Sequence, residues 1–78
     1  MRVLYVFDNG GVTVDRYTLI TNQKAGGYWL GLTLSQNCDS PQGVSNWVPC
    51  ELGGHLGKGI TFSQLPKKVQ DHALLRIS

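Results

Sequence analysis

Apolar residues fall into three patterns along the chain. Val3-Leu4-Tyr5-Val6-Phe7 is a short unbroken run, and Val12 to Ile20 is a second stretch rich in β-branched and aromatic residues. Short runs of this kind, bounded by turn formers, predict strands. Between them lies Asp8-Asn9-Gly10-Gly11, and Asn-Gly tolerates positive φ at both central positions of a two-residue type I′ turn. A hairpin over residues 3–20 with Asn9-Gly10 as its loop sets Phe7 against Val12, Tyr5 against Val14 and Val3 against Arg16. Phe7, Tyr5, Val12 and Val14 then share one face. Slipping by one residue sets Phe7 against Thr13 and Tyr5 against Asp15 and splits that face. The reverse face still carries Leu4, Val6, Tyr17 and Leu19, so it needs a cover: a second copy of the chain, or the long middle segment.

The second pattern is strict alternation. Tyr28, Leu30, Leu32 and Leu34 fall on one side, and Trp29, Gly31, Thr33 and Ser35 on the other, which predicts a half-buried strand. Gly31 leaves a gap beside Trp29 that the Trp29 ring or a neighbouring side chain could fill. Residues 36–59 are irregular, with a short strand around Val44-Trp47-Val48 that Pro49 confines to a sheet edge. Gly59 to Phe62 predicts a last short strand. The third pattern has helical period: Leu65, Val69, Ala73 and Ile77 form a stripe, Lys67, Lys68 and Asp71 lie opposite, and Arg76 complements the last turn. Ser63 is the expected N-cap and Pro66 lies in the first turn. The expected architecture is α+β: an antiparallel sheet of three to five strands, begun by the N-terminal hairpin, with one C-terminal helix across one face. Its expected core is Val3, Tyr5, Phe7, Val12, Val14, Leu30, Leu32, Phe62, Leu65, Val69 and Ala73.

Seventy-eight residues make one domain with a small core. With 15% charged residues the composition is that of a folded globule rather than a disordered tail. The apolar run at residues 3–7 is too short for a secretory leader and no stretch is long enough to span a bilayer, so a cytoplasmic setting is expected. Cys38 and Cys50 are expected to be free thiols there.

Candidate chemistry narrows quickly. Gly53-Gly54-His55-Leu56-Gly57-Lys58-Gly59 has the glycine content of a phosphate loop but not its spacing, and Gly59 stands where Ser or Thr should follow the lysine. Cys38, Cys50, His55 and His72 are spaced too widely for a structural zinc site. Cys38 or Cys50 with His55 and Asp39 supplies residue types for a thiol hydrolase, without a pattern that selects them. No catalytic residue, metal ligand or cofactor is therefore assigned. Lys58, Lys67, Lys68 and Arg76 are the candidate phosphate contacts of a nucleic-acid binder, but they are scattered, and a net charge of +2 is modest for that role. The middle segment offers adaptable polar side chains around one large ring: Asp39, Gln42, Asn46 and Trp47. With Arg16 and Tyr17 of the hairpin, these are the candidate contacts to a partner protein, unless Trp47 folds back as a lid on the core.

Phe7-Asp8-Asn9-Gly10-Gly11, Asp15-Arg16-Tyr17-Thr18, Ser40-Pro41-Gln42-Gly43-Val44, Leu56-Gly57-Lys58 and Leu65-Pro66-Lys67-Lys68-Val69-Gln70 occur in that order. In this the chain resembles a set of short uncharacterised proteins of phages, prophages and other bacterial mobile elements. The resemblance implies a bacterial cytoplasmic setting and carries no catalytic residue over. It favours a non-enzymatic protein that binds a host protein or ribonucleoprotein complex and inhibits it by occlusion, the sharpest form being an anti-CRISPR-type inhibitor. The alternative is a small nucleic-acid-binding regulator.

Overall fold

The computed structural model describes all 78 residues. Five antiparallel strands, β1 (Val3–Asp8), β2 (Tyr17–Ala25), β3 (Tyr28–Leu34), β4 (Ser45–Cys50) and β5 (Lys58–Ile60), form one sheet in the order β4-β3-β2-β1-β5. A single helix, α1 (Lys67–Ile77), closes the chain and covers one face. The expected α+β architecture is the one observed.

The register of the first two strands differs from the expected hairpin. Phe7 pairs with Thr18, Val6 with Leu19 and Asp8 with Tyr17, so residues 9–16 form a long loop in place of a two-residue turn. Burial explains why. This pairing aligns Val6, Tyr17 and Leu19 with Leu32 and Leu34, and all five pack with Leu65, Val69 and Ala73 under the helix. The face expected to be left over is the core face, covered by the helix together with Cys38 and Trp47 of the middle segment. Tyr5, Val12 and Val14, assigned to the core from sequence, are exposed. The type I′ turn lies one hairpin later. Gly26 and Gly27, with φ of 61° and 89°, connect Ala25 to its partner Tyr28, and glycine holds such angles without strain.

The opposite face has a smaller apolar layer of its own. Ile20 is fully buried there, and a Cβ on Gly31 would lie 2.6 Å from Cys50 Sγ and 3.5 Å from Ile20 Cδ1. The gap at Gly31 is thus filled by the Cys50 sulfur. β4 forms one edge of the sheet as expected, and the last strand is Lys58–Ile60 rather than 59–62. Ser63 does not cap the helix. It lies inside a 3-10 turn (Phe62–Gln64) opened by Thr61, whose backbone N–H donates to Gln64 Oε1 at 2.8 Å, while Pro66 stands at the start of α1.

Candidate functional site

Two surface features expose apolar side chains, each with a local cause. The first is the loop between β1 and β2. Arg16 donates through Nε to Asp8 Oδ1 at 2.7 Å and through Nη2 to Asp8 Oδ2 at 3.0 Å, a two-pronged clasp across the loop's base. This hydrogen-bonded guanidinium holds the Asp8 carboxyl below its usual range. Asn9 braces the interior: its Oδ1 accepts from the N–H groups of Gly11 and Val12 at 2.9 and 3.1 Å, and its Nδ2 donates to Thr13 Oγ1 at 2.8 Å. Gly10 and Gly11 both carry positive φ, 77° and 88°, which side-chain-bearing residues rarely adopt. The Asn-Gly-Gly sequence therefore builds a braced loop rather than a tight turn. Val12 is 84% and Val14 69% exposed on it.

The second feature is a groove along the outer side of β1. The chain enters β5 through Gly57 (φ 96°), where a Cβ would lie 2.3 Å from the Asp8 carbonyl oxygen. It leaves the sheet after Ile60, because Thr61 opens the capped turn. β5 therefore pairs only with Val6, Phe7 and Asp8, and no strand lies beyond Val3, Leu4 and Tyr5. The vacancy is a cavity of about 560 Å³, nine of whose eleven lining residues are hydrophobic, walled by Phe62, Leu74 and Ile77. No carboxylate, amine, imidazole or thiol lines it. Leu74 and Tyr5 are half exposed on its rim.

A third, polar cleft of about 380 Å³ lies on the sheet's other face, where Asp15, Thr18, Thr33, Cys50 and His55 meet. Cys38 packs with the core and Cys50 over Gly31. Both cysteines are free, and burial pushes both thiols up. That shift opposes the thiolate a nucleophilic cysteine requires. No group of three or more His, Cys, Asp or Glu side chains could hold a metal ion, and no helix is long and apolar enough to cross a membrane.

The candidate contacts are placed unevenly. Tyr17 is 3% exposed and belongs to the core, which removes it as a contact residue. Trp47 is half buried against the same core, with the Arg76 guanidinium 6.0 Å from its ring centre, as the lid would require. Arg16 is committed to the loop clasp and supports its neighbours rather than standing free. Asp39, Gln42 and Asn46 are exposed on the segment leading into and along β4. Among the basic residues, Lys67 is paired with Asp71 at 2.7 Å. Arg76 Nη1 donates to Ser45 O and Oγ at 2.8 and 2.6 Å. Lys58 on β5 and Lys68 on α1 carry no such pairing, and the four do not form one stripe. Sequence reasoning missed Val12 and Val14 as exposed residues, and it missed the groove. One signal for the groove was present: Leu74 lies off the helix's apolar stripe. No protein-family model, curated protein or solved structure matches the chain.

Proposed function

We propose that this is a non-enzymatic binding protein that occludes a surface of a macromolecular partner, with the braced loop as its leading contact. The observation that carries this reading is the exposure of Val12 and Val14 on a loop whose conformation is fixed by its own polar groups. A loop ordered before binding loses little entropy on docking, and paired exposed β-branched side chains serve no packing purpose within the chain. Asp39, Gln42 and Asn46 supply adaptable polar contacts elsewhere on the surface. The resemblance to mobile-element proteins makes a bacterial host protein or ribonucleoprotein complex the expected target, and inhibition of a defence complex of the CRISPR type the sharpest form of the proposal.

The test is quantitative capture from host lysate with the wild-type chain and with a Val12→Asp/Val14→Asp variant, whose changes lie at exposed positions that leave the core intact. Wild type is expected to retain a stoichiometric partner that the variant loses. Retention of nothing by the wild type, or equal retention by both, overturns the proposal.

A further inference from the structure

The polar cleft lies on the face of the sheet away from the helix and shares the braced loop as part of its lining. We infer that it receives an arginine side chain of the partner. The inference rests on the proposed binding function for the source of that arginine, and adds the chemistry of one contact.

The cleft's position follows from strand alternation. Tyr17 and Leu19 enter the core under the helix, so Thr18 between them points the other way. It pairs across the strands with Thr33 of β3, and both line the cleft. Val12 and Asp15 of the loop line it as well, as do His55 and Leu56 of the turn at 54–56. A partner seated on Val12 therefore stands over the cleft. Its volume of about 380 Å³ is near the low end of the about 300–1,000 Å³ of ligand sites, which suits one long side chain better than a large cofactor.

Two independent observations say what that side chain must offer. The first is Thr18. Four polar residues are buried in the chain, and three of them are satisfied. Thr21 Oγ1 donates to Leu30 O at 2.8 Å, Thr33 Oγ1 donates to Asn46 O at 3.3 Å, and Ser35 Oγ accepts from Val44 N–H at 2.8 Å. Thr18 is only 6% exposed, yet its hydroxyl has no hydrogen-bond partner within the chain and faces the cleft. A buried polar group left in that state calls for a partner from outside.

The second is Asp15. It is half-buried and belongs to neither ion pair of the chain, Arg16 being spent on Asp8 and Lys67 on Asp71. Its backbone carbonyl takes the loop's donors, Asn9 Nδ2 at 3.5 Å and Thr13 Oγ1 at 3.4 Å, which leaves the carboxylate free. No lysine or arginine lines the cleft. The titratable groups facing it besides Asp15 are His55 and Cys50. The Cys50 sulfur donates to Val48 O at 3.7 Å, and burial pushes that thiol up.

The cleft thus presents one free carboxylate, one unmet hydroxyl and a second hydroxyl whose proton is already given away. Their complement is a cation rich in donors. A guanidinium has several N–H donors and no acceptor, and its planar fork can take a carboxylate with a pair of them while turning others to a hydroxyl. The hydrocarbon stem behind it fits against Val12 and Leu56. A phosphate or carboxylate would instead meet Asp15 with like charge.

Amide chemical shifts of the full chain, followed as acetyl-arginine amide is added, test the inference. Saturable shifts at Asp15, Thr18 and Thr33 are expected, with a dissociation constant on the order of a millimolar for so small a probe. Acetyl-citrulline amide, which keeps the shape and loses the charge, is expected to give none. Asp15→Asn should weaken binding by at least about tenfold, whereas Asp71→Asn on the helix should leave it unchanged. Thr18→Val should weaken it by about threefold or more with no fall in melting temperature, because the hydroxyl it removes bonds nothing within the chain. The absence of saturable shifts at tens of millimolar overturns the inference, as does equal binding of the citrulline probe or undiminished binding by Asp15→Asn or Thr18→Val. A lysate that yields no partner would remove the proposed function and leave the probe result standing. A partner held equally by wild type and Asp15→Asn would remove the inference and leave the function, so the two fail separately.

Discussion

The two edges of the sheet solve the same problem in opposite ways. An edge strand presents unpaired backbone groups to any passing chain. Just before β4, Val44 faces β3, its carbonyl accepting from Ser35 N–H at 3.0 Å, so by alternation the main-chain groups of Ser45, Trp47 and Pro49 face away from β3. Pro49 then costs the ladder nothing, because the N–H it lacks is an outward one. The Ser45 carbonyl is taken by Arg76. On the other side, β5 covers β1 for three residues and then departs, leaving an apolar slot. One edge is closed by single side chains, and the other is left open by a strand that stops early. The difference teaches that an edge can be blunted residue by residue, whereas opening one depends on where a neighbouring turn begins.

The sharpest way to break the comparison is to strike the glycine that feeds each edge. Gly43→Ala would place a Cβ 2.0 Å from the Asn37 carbonyl oxygen ahead of β4, and Gly57→Ala would place one 2.3 Å from the Asp8 carbonyl oxygen ahead of β5. Each is expected to cost about 3 kcal/mol or more in urea unfolding, being a backbone collision that no side chain can relieve. Hydrogen exchange should separate them, with protection lost first along 45–50 in the former and along 58–60 in the latter. Equal loss at both edges would mean that they fold as one unit.

A smaller effect tests the closed edge alone. Arg76→Ala removes both bonds to Ser45 and the contact over Trp47 and is expected to cost about 1–2 kcal/mol. It should also raise amide exchange along β4. Unchanged exchange along β4 would show that Pro49 suffices.

The smallest effect concerns the clasp beside the open edge. The Asp8 carboxyl is held below its ordinary value chiefly by its hydrogen bonds from Arg16, so the folded state binds that proton less readily than the unfolded one. The clasp's contribution is therefore complete above the ordinary carboxylate value of about 4 and is lost as pH falls through the lowered one. The gap in melting temperature between wild type and Asp8→Asn should be full at neutral pH and close in acid. A gap that stays constant down to strongly acidic pH would show that it does not depend on the Asp8 charge.

Much of the fold was legible because it rests on local patterns. The alternation of 28–35, the edge position imposed by Pro49 and the Leu65-Val69-Ala73-Ile77 stripe each follow from two or three neighbouring residues. The register of β1 and β2 was not legible, since Asn9-Gly10 satisfies the rule for a two-residue turn. What displaces that turn is a clasp between residues eight apart and a core supplied by Leu32, Leu34 and Val69. Tyr5, Val12 and Val14 were assigned to the core for the same reason: their β propensity and spacing resemble those of buried positions. The groove is harder still, because it exists only where β5 stops, and a Thr-to-Gln capping contact sets that point. Leu74, apolar yet off the stripe, was its trace on the helix.

The two cysteines give the chain a pair of internal clocks. Cys38 sits in the layer beneath the helix and Cys50 in the thin layer across the sheet, behind Gly31. Cys50 also borders the polar cleft, so a soluble alkylating reagent meets it from solvent, whereas Cys38 is reached only when the layer beneath the helix parts. The Cys38 rate, read against that of Cys50 as an internal reference, therefore reports, without any introduced label, how often the helix lifts away.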